Sequence, residues 1–117
     1  MPQYHPPIRD MQFLLHEVLD AVSLLKTLPG HGDVDADTLN AVLEEGGKFA
    51  AEVTAPLNLS GDAEGCTLDQ TTHAVTAPKG FKQAYAQYVA GGWAALSCDP
   101  AYGGQGLPLV LDRKSVV

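Results

Sequence analysis

An apolar stripe near the N-terminus constrains the fold of this chain more than any other feature of its sequence. The stripe has the spacing of one helix face and consists of Met11, Leu14, Leu15, Val18, Leu19, Val22 and Leu25. Because a helix with one apolar face must bury it against another element, the pattern predicts helix-on-helix packing. Pro29 and Gly30 are expected to end this helix, and the arm at residues 4–7 is expected to be extended.

A second helix is predicted to begin near Asp35, whose carboxylate can accept hydrogen bonds from the free amides of the first turn. Its apolar face comprises Leu39, Val42, Leu43, Gly46, Ala50 and Val53. Glycine inside a helix costs about 1 kcal/mol relative to alanine, so the expected use of Gly46-Gly47 is the close approach of a neighbouring helix. Pro56 is expected to end the helix, and residues 57–69 are predicted to form a loop.

A third helix is predicted to follow Pro78 and to stop at Gly91-Gly92. Its apolar face, with core packing as the expected role, comprises Phe81, Ala84, Tyr85, Tyr88 and Val89. Residues 71–76 have β character, residues 93–96 form a short buried connection, and residues 107–111 begin a fourth helix. The predicted fold is therefore all-α, an antiparallel bundle of three to four helices with one short extended segment.

Charge and composition narrow the function. The chain has 117 residues and a net charge of −7, with only seven Lys and Arg in total. Nucleic acid is excluded as a partner because phosphate binding needs clustered basic side chains. The sequence shows no membrane span and no secretory signal, so a cytoplasmic location is predicted. Cys66 and Cys98 lie far apart, outside any CxxC motif, and are expected to be reduced thiols.

A glycine-rich loop at residues 99–108 is the strongest candidate for a functional segment. Its centre consists of Tyr102, Gly103, Gly104, Gln105 and Gly106. Such a run demands unusual backbone angles or close approach of another group. It could be a tight turn between helices, a turn that also lines a pocket, or a phosphate cradle. The cradle is the weakest of the three, because the loop lacks the P-loop lysine and no clear strand precedes it.

Other polar groups carry weaker signals, and no metal site is predicted. His16 and Glu17 lack the second histidine four residues on that a zinc motif requires, since Asp20 stands there. Glu44 and Glu45 are expected to lie on a hydrated face, with Glu44 paired to the lysine four residues later. A grouping of Ser60, Asp62 and His73 lacks the context of a nucleophile elbow.

Two segments of the chain resemble the N-terminal helical domain of the acyl-CoA dehydrogenase family. Pro2-Gln3-Tyr4 and residues 7–18 resemble the branch that includes 3-methylmercaptopropionyl-CoA dehydrogenases. The second segment resembles a family loop with an acidic residue followed by Tyr-Gly-Gly-x-Gly-Leu. It comprises Pro78-Lys79-Gly80-Phe81, Tyr85, Gly91-Gly92-Trp93 and residues 99–108. The resemblance covers residues 2–111, interpreted as one domain. Residues 112–117 depart from the family pattern and are interpreted as an atypical tail, such as a cloning or frameshift remnant.

The resemblance implies a flavin-dependent oxidation of an acyl-CoA thioester to its trans-2-enoyl form in the intact enzyme. A glutamate removes the α-proton, a hydride passes to FAD, and electron-transferring flavoprotein reoxidises the cofactor. The flavin domain and the catalytic base are expected outside this chain, which therefore supplies no catalytic residue. Tyr102, Gly103, Gly104, Gln105 and Gly106 are expected near the acyl or flavin site.

The chain by itself is accordingly expected to be inactive, to bind no FAD tightly and to self-associate through uncovered apolar surface. Two other functions remain open from the residues. One is a stand-alone helical interaction module, and the other is a small acidic ligand-binding domain that uses the glycine-rich loop.

Overall fold

The structure, a computed structural model, describes residues 3–115, with side chains for residues 3–112. Its regular elements within that range are listed here in chain order: α1 (Ile8–Phe13), α2 (Ala21–Lys26), α3 (Ala36–Phe49), α4 (Ala55–Glu64), β1 (Thr67–Leu68), β2 (Val75–Thr76), α5 (Phe81–Ala90) and α6 (Leu109–Ser115). Two π-helical turns (Leu14–Val18 and Ala50–Thr54) and two 3₁₀ turns (Trp93–Ala95 and Pro100–Tyr102) connect them.

The first apolar stripe does not form one continuous helix. After α1 the backbone widens into the π-turn, where the Leu19 N–H bonds to the Leu14 carbonyl five residues back at 2.9 Å. Asp20 then adopts a left-handed conformation with φ +44°. The wider turn changes the angular register, so the predicted single face divides. Leu15 and Leu25 are buried.

Three members of the predicted stripe face solvent instead: Leu14, Val18 and Leu19. The remaining two, Met11 and Val22, are partly buried and pack against the core. The prediction of a helix end before Pro29 is confirmed, because α2 stops at Lys26.

The predicted start of the second helix is confirmed. Asp35 occupies the N-cap position of α3 and its Oδ1 accepts the Thr38 N–H at 2.8 Å. Hydrogen bonds from Thr38 lower the pKa of Asp35 below its ordinary value of 3.8. Leu39 and Leu43 are buried on the inner face of α3.

One of the two α3 glycines, Gly47, admits a close neighbour, as predicted for the pair. Gly47 is buried, and a Cβ atom there would lie 2.8 Å from Ile8 Cδ1 and 3.0 Å from Pro6 Cγ. Since real Cβ atoms almost never approach that closely, the absent side chain lets α1 and the N-terminal arm pack against α3.

The prediction that Pro56 ends this helix is wrong. A π-turn follows α3, with the Ala55 N–H bonded to the Ala50 carbonyl, and α4 then continues to Glu64 with Pro56 in its first turn. In a regular α-helix the proline ring would collide with the carbonyl four residues earlier. The wider turn before Pro56 relieves this collision, so residues 55–64 are helical and the predicted loop begins only after α4.

The segment with β character forms a short hairpin. Thr67 pairs with Thr76 and Leu68 with Val75 in an antiparallel register. Asp69 organises the connection, since its Oδ1 accepts the Thr71 N–H at 2.7 Å and the Thr72 N–H at 2.9 Å. These bonds, from Thr72 first and then Thr71, lower the pKa of Asp69. The strand thus covers only the end of the predicted 71–76 segment.

Helix α5 ends at Gly91, as predicted, but its apolar face is not a core face. Tyr85 is 69% exposed and Val89 is 51% exposed. A C-terminal helix is confirmed, but it begins at Leu109, directly after the buried Pro108 and two residues later than predicted. In the connection between α5 and α6, Trp93 is partly buried and Leu96 is buried.

Burial divides the molecule into two regions. The core region comprises α1, the π-turn at Leu14–Val18, α2, α3, α6 and residues 93–96. Its buried side chains are Leu15, Ala21, Leu25, Leu39, Leu43, Leu96 and Leu111. The open region comprises residues 50–90, in which Gly61 and Pro78 are the buried residues.

The overall shape reflects this division. The molecule measures 57 × 37 × 16 Å and has a radius of gyration of 17.5 Å, against about 13 Å for a compact domain of this length. A mostly helical fold is confirmed, with a small hairpin added. A closed bundle of three to four helices is not confirmed.

Among residues 3–115, no helix combines the length and the apolar character that crossing a bilayer requires. Cys66 and Cys98 are both free and exposed.

Candidate functional site

The glycine-rich loop begins with a capped 3₁₀ turn. Asp99 lies at the N-cap of Pro100–Tyr102, where its Oδ1 accepts the Ala101 N–H at 2.8 Å. Its own carbonyl accepts the N–H groups of Tyr102 at 3.0 Å and Gly104 at 3.1 Å. Asp99 therefore sets the direction in which the chain leaves the turn.

The second half of the loop runs beside the preceding connection. The Gln105 N–H donates to the Ala95 carbonyl at 3.0 Å, the Gly106 N–H to Cys98 at 2.9 Å and the Leu107 N–H to Leu96 at 3.0 Å. These bonds fix the loop against a segment whose Leu96 side chain is 3% exposed. The loop is thereby attached to the core region.

Gly104 shows why a glycine is needed in this loop. A Cβ atom at this position would collide with the carbonyl group of Cys98. Because backbone atoms cannot swing aside as a side chain can, any other residue would push the loop away from its support. The glycine-rich composition therefore provides close backbone contact.

The loop amides do not form a phosphate cradle. The N–H groups of residues 101–107 all donate to carbonyl or carboxylate oxygens of the chain itself. An anion-binding loop must instead leave several N–H groups pointing at the ligand. This geometry disfavours independent nucleotide binding, the weakest of the three interpretations.

The side chain of Tyr102 projects from the loop into solvent. Its side chain is 91% exposed, although its backbone belongs to the capped 3₁₀ turn. Tyrosine is enriched at contact surfaces because its ring is apolar and its hydroxyl can remain in water. The loop thus presents one aromatic ring from a defined position.

Gln105 connects the loop to the end of α5. Its carboxamide Nε2 lies 3.2 Å from the Gly92 carbonyl and 3.4 Å from the Gly91 carbonyl. Since both partners are acceptors, the donor NH₂ group must face them. Sequence reasoning missed this contact, although the neighbouring glycines were a signal that a group approaches there.

The other polar candidates lie apart from the loop. His16 Nε2 is 2.7 Å from Asn40 Oδ1, between the first π-turn and α3. The predicted pair of Glu44 with the lysine four residues later is wrong in its partner, because Lys48 Nζ lies 2.7 Å from Glu45 Oε1. That bond raises the pKa of Lys48, while Glu44 accepts from Gln12.

The hydroxyl of Ser60 faces the carbonyls of its own helix at 3.4 Å. His73 lies in the hairpin turn, with φ +57°. The structure therefore assigns Ser60 a local role within α4.

An aromatic row links the two regions near the loop. Phe49 lies at a ring-centroid distance of 6.3 Å from Trp93 and 6.1 Å from Tyr88. Tyr88 in turn stacks on Tyr85 at 6.5 Å. These distances are typical of aromatic pairs, so α5 is held against the end of α3 by rings.

Comparison with known proteins agrees with the resemblance found in the sequence. The chain is 39% identical over 108 residues to the 3-methylmercaptopropionyl-CoA dehydrogenase of Ruegeria pomeroyi, covering 92% of this chain. It is 34% identical over 111 residues, again 92% of this chain, to the broad-specificity linear acyl-CoA dehydrogenase FadE5 of Mycobacterium tuberculosis. No protein-family model matches the chain.

The chain spans about 18% of the length of each of these two relatives. Their similarity to it extends across both the core region and the open region, because the aligned residues make up 92% of the chain. Over that length, the chain is a homologue of two acyl-CoA dehydrogenases.

Proposed function

We propose that this chain forms the N-terminal helical domain of a flavin-dependent acyl-CoA dehydrogenase, which oxidises an acyl-CoA thioester to the trans-2-enoyl-CoA. The observation that carries the proposal is the identity of 39% and 34% to two acyl-CoA dehydrogenases over 92% of the chain. The catalytic base and most cofactor contacts belong, on this proposal, to the larger share of the enzyme that this chain does not span.

The loop from Tyr102 to Gly106 is proposed as one wall of the acyl or flavin pocket. Two features support this role: the loop is fixed to the core region by backbone hydrogen bonds, and Tyr102 is 91% exposed. Because its amides are already hydrogen-bonded within the chain, such a loop can shape the pocket and exclude water from it. It does not form hydrogen bonds to polar groups of the substrate.

The loop is suited to line the side of an FAD site and not to bind the phosphates of FAD. Residues 99–108 contain no basic side chain, and the amides of residues 101–107 donate within the chain. The Tyr102 ring offers a flat apolar face of the kind that packs against a planar ring or an acyl chain. When bound, the cofactor supplies the hydride acceptor, while this chain helps to orient what lies beside it.

A segment exchange tests the proposal. The aligned segment of the Ruegeria pomeroyi dehydrogenase is replaced by residues 2–111 of this chain, and turnover is measured with a dye acceptor. The substrates are 3-methylmercaptopropionyl-CoA and a series of linear acyl-CoAs. We expect bound FAD and measurable turnover, with the same enzyme lacking the segment as an inactive control. A folded, FAD-loaded chimera without turnover on any of these substrates would contradict the proposal.

A second measurement uses the chain alone. We expect no acyl-CoA oxidation and no yellow complex surviving gel filtration when it is mixed with FAD. Turnover above the rate without protein would show that the chain carries catalytic groups of its own. The proposed partners of the intact enzyme are the acyl-CoA and an electron-transferring flavoprotein.

A stand-alone interaction module remains a second candidate, and one observation favours it. The open region exposes Tyr85 and Val89 on one face of α5, and such faces usually find a partner. We propose a second copy of this chain as the occupant when the chain is alone, because a two-fold contact closes on itself. The net charge of −7 opposes this contact only over about 10 Å at ordinary salt. Light scattering that shows a monomer at all concentrations would overturn it.

A further inference from the structure

The side chain of Gln105 joins two parts of the molecule that the backbone hydrogen bonds of the loop do not join. The backbone of residues 105–107 bonds to residues 95, 98 and 96, all in the segment between the end of α5 and Asp99. The carboxamide reaches further, to the carbonyls of Gly91 and Gly92 at 3.4 and 3.2 Å. Those carbonyls lie in the turn that terminates α5.

The turn at Gly91-Gly92 leaves room for the Gln105 carboxamide. Gly92 has φ +75°, and a Cβ atom there would collide with Gln105 Nε2. A side chain at that position would displace the carboxamide, in addition to straining the backbone. The glycine therefore leaves open the place that the amide fills.

Trp93 makes this junction measurable. A Cβ atom on Gly91 would lie 2.7 Å from Trp93 Nε1, so the indole stands beside the carbonyls that Gln105 contacts. Trp93 is the single tryptophan of the chain, and its fluorescence reports on this turn without interference from other indoles.

We propose that Gln105 is a positioning residue. Its carboxamide binds the glycine-rich loop to the C-terminal turn of α5, so that the position of the Tyr102 ring depends on α5. Helix α5 belongs to the open region, and the loop is supported by the core region. Gln105 thus makes the loop sensitive to how the open region is packed. An effect of Gln105 on an acyl or flavin pocket rests on the proposed function, whereas the contact between Gln105 and the end of α5 does not.

Replacement of Gln105 by glutamate gives a test with a built-in switch. The glutamate side chain has the same length, but its carboxylate cannot donate and repels the two carbonyls. Protonated glutamic acid regains one O–H donor, and its ordinary pKa is about 4.3. The contact is therefore expected to be lost in Gln105→Glu at pH 7 and partly restored near pH 4. Gln105→Ala removes the donor at every pH.

Two quantities are measured in each variant of the 117-residue chain: the rate of amide hydrogen exchange at Gly106 and Leu107, and the fluorescence emission of Trp93. Each is compared with the unmodified chain at the same pH. At pH 7 we expect exchange about fivefold faster in both Gln105 variants, as loss of one hydrogen bond implies. Near pH 4 the excess should shrink in Gln105→Glu and persist in Gln105→Ala. Gln83→Glu, an identical change at an exposed position of α5, is the matched control and should behave as the unmodified chain.

Two results would overturn the proposal: unchanged exchange and emission in both Gln105 variants at pH 7, or the same excess exchange at both pH values in Gln105→Glu. In the segment exchange, Gln105→Ala should raise the KM for the acyl-CoA without lowering FAD content. An inactive chimera that carries the unmodified segment would refute the proposed function, while the exchange result would still decide the role of Gln105.

Discussion

The core region and the open region have similar apolar patterns and opposite outcomes. In α3 the helical spacing of Leu39 and Leu43 leads to burial at 0% and 3% exposure. In α5 the same kind of spacing leaves Tyr85 at 69% exposure. Periodicity identifies the apolar face of a helix, but only the tertiary arrangement decides whether another element covers that face.

The largest expected difference concerns two leucines of the first stripe. Leu15→Ala should lower the free energy of unfolding by about 2–5 kcal/mol, because the side chain is 0% exposed and its removal leaves a cavity. Leu19→Ala, at 52% exposure, should cost less than about 1 kcal/mol. Denaturant midpoints of the two variants provide the comparison. Equal losses would mean that the π-turn does not divide the stripe in solution.

The same glycine substitution should have different effects in the two regions. Gly47→Ala places a methyl group against Ile8 and the rigid ring of Pro6, and we expect a net loss of about 1 kcal/mol after the gain in helix propensity. Gly61→Ala meets the edge of Phe81, whose ring is 40% exposed and can turn outward. A change within about 0.5 kcal/mol is expected there, since the gain in helix propensity offsets the displacement.

Thermal unfolding of both glycine variants measures this difference. A larger loss for Gly61→Ala than for Gly47→Ala would show that the open region is as tightly packed as the core region.

Acid should affect the two regions through two aspartates. The pKa values of Asp35 and Asp69 are both lowered in the folded chain. Above the ordinary pKa of 3.8, Asp35 therefore stabilises α3 and Asp69 stabilises the hairpin turn locally, and each contribution is lost as the pH falls through the lower folded value. Asp35 caps a helix of the core region, so acidification should lower the unfolding midpoint. Asp35→Asn keeps an acceptor at the cap and should remove that part of the acid dependence.

Asp69 holds only the hairpin turn. Asp69→Asn should therefore alter amide exchange at Thr71 and Thr72 and leave the unfolding midpoint and its pH dependence unchanged. A global shift would indicate that the hairpin and the core region unfold together.

The smallest effect is expected from the exposed face of α5. Tyr85→Ser should reduce binding of a hydrophobic dye without a measurable change in stability, because the side chain is 69% exposed. Arg9→Ser, a change at an exposed polar position of α1, is the control. Unchanged dye binding in Tyr85→Ser would place the apolar surface elsewhere.

Local chemistry was predictable from the sequence, whereas helix continuity and coverage were not. The Asp35 cap, the end of α2 before Pro29 and the start of α6 near Pro108 each depend on one or two neighbouring residues. Pro56 misled the prediction because a π-turn can absorb a proline that a regular α-helix cannot. The spacing of α5 could not show that its apolar face is exposed, since exposure depends on which elements meet that face. Uncovered apolar surface was expected only from the resemblance to a larger enzyme.

For the candidate site, the sequence identified the loop but not its attachment. Three glycines between Gly103 and Gly106 indicated a tight turn or a close approach, and Gly104 shows the second. The partner surface, the carbonyls of residues 91–98, is defined only by three-dimensional contact. Gln105 was predicted as a member of the loop, and its bond to the end of α5 required the structure.

The π-turn at Leu14–Val18 also has a consequence for the lengths of related chains. Its defining bond, from the Leu19 N–H to the Leu14 carbonyl, closes a loop with one residue more than an α-helical turn contains. Deleting one residue there would restore ordinary α-helical bonding while leaving α2 attached at nearly the same place. Homologues that differ by a single-residue gap at this position would therefore keep the same fold, and an alignment that forbids the gap would shift the register of every residue before it.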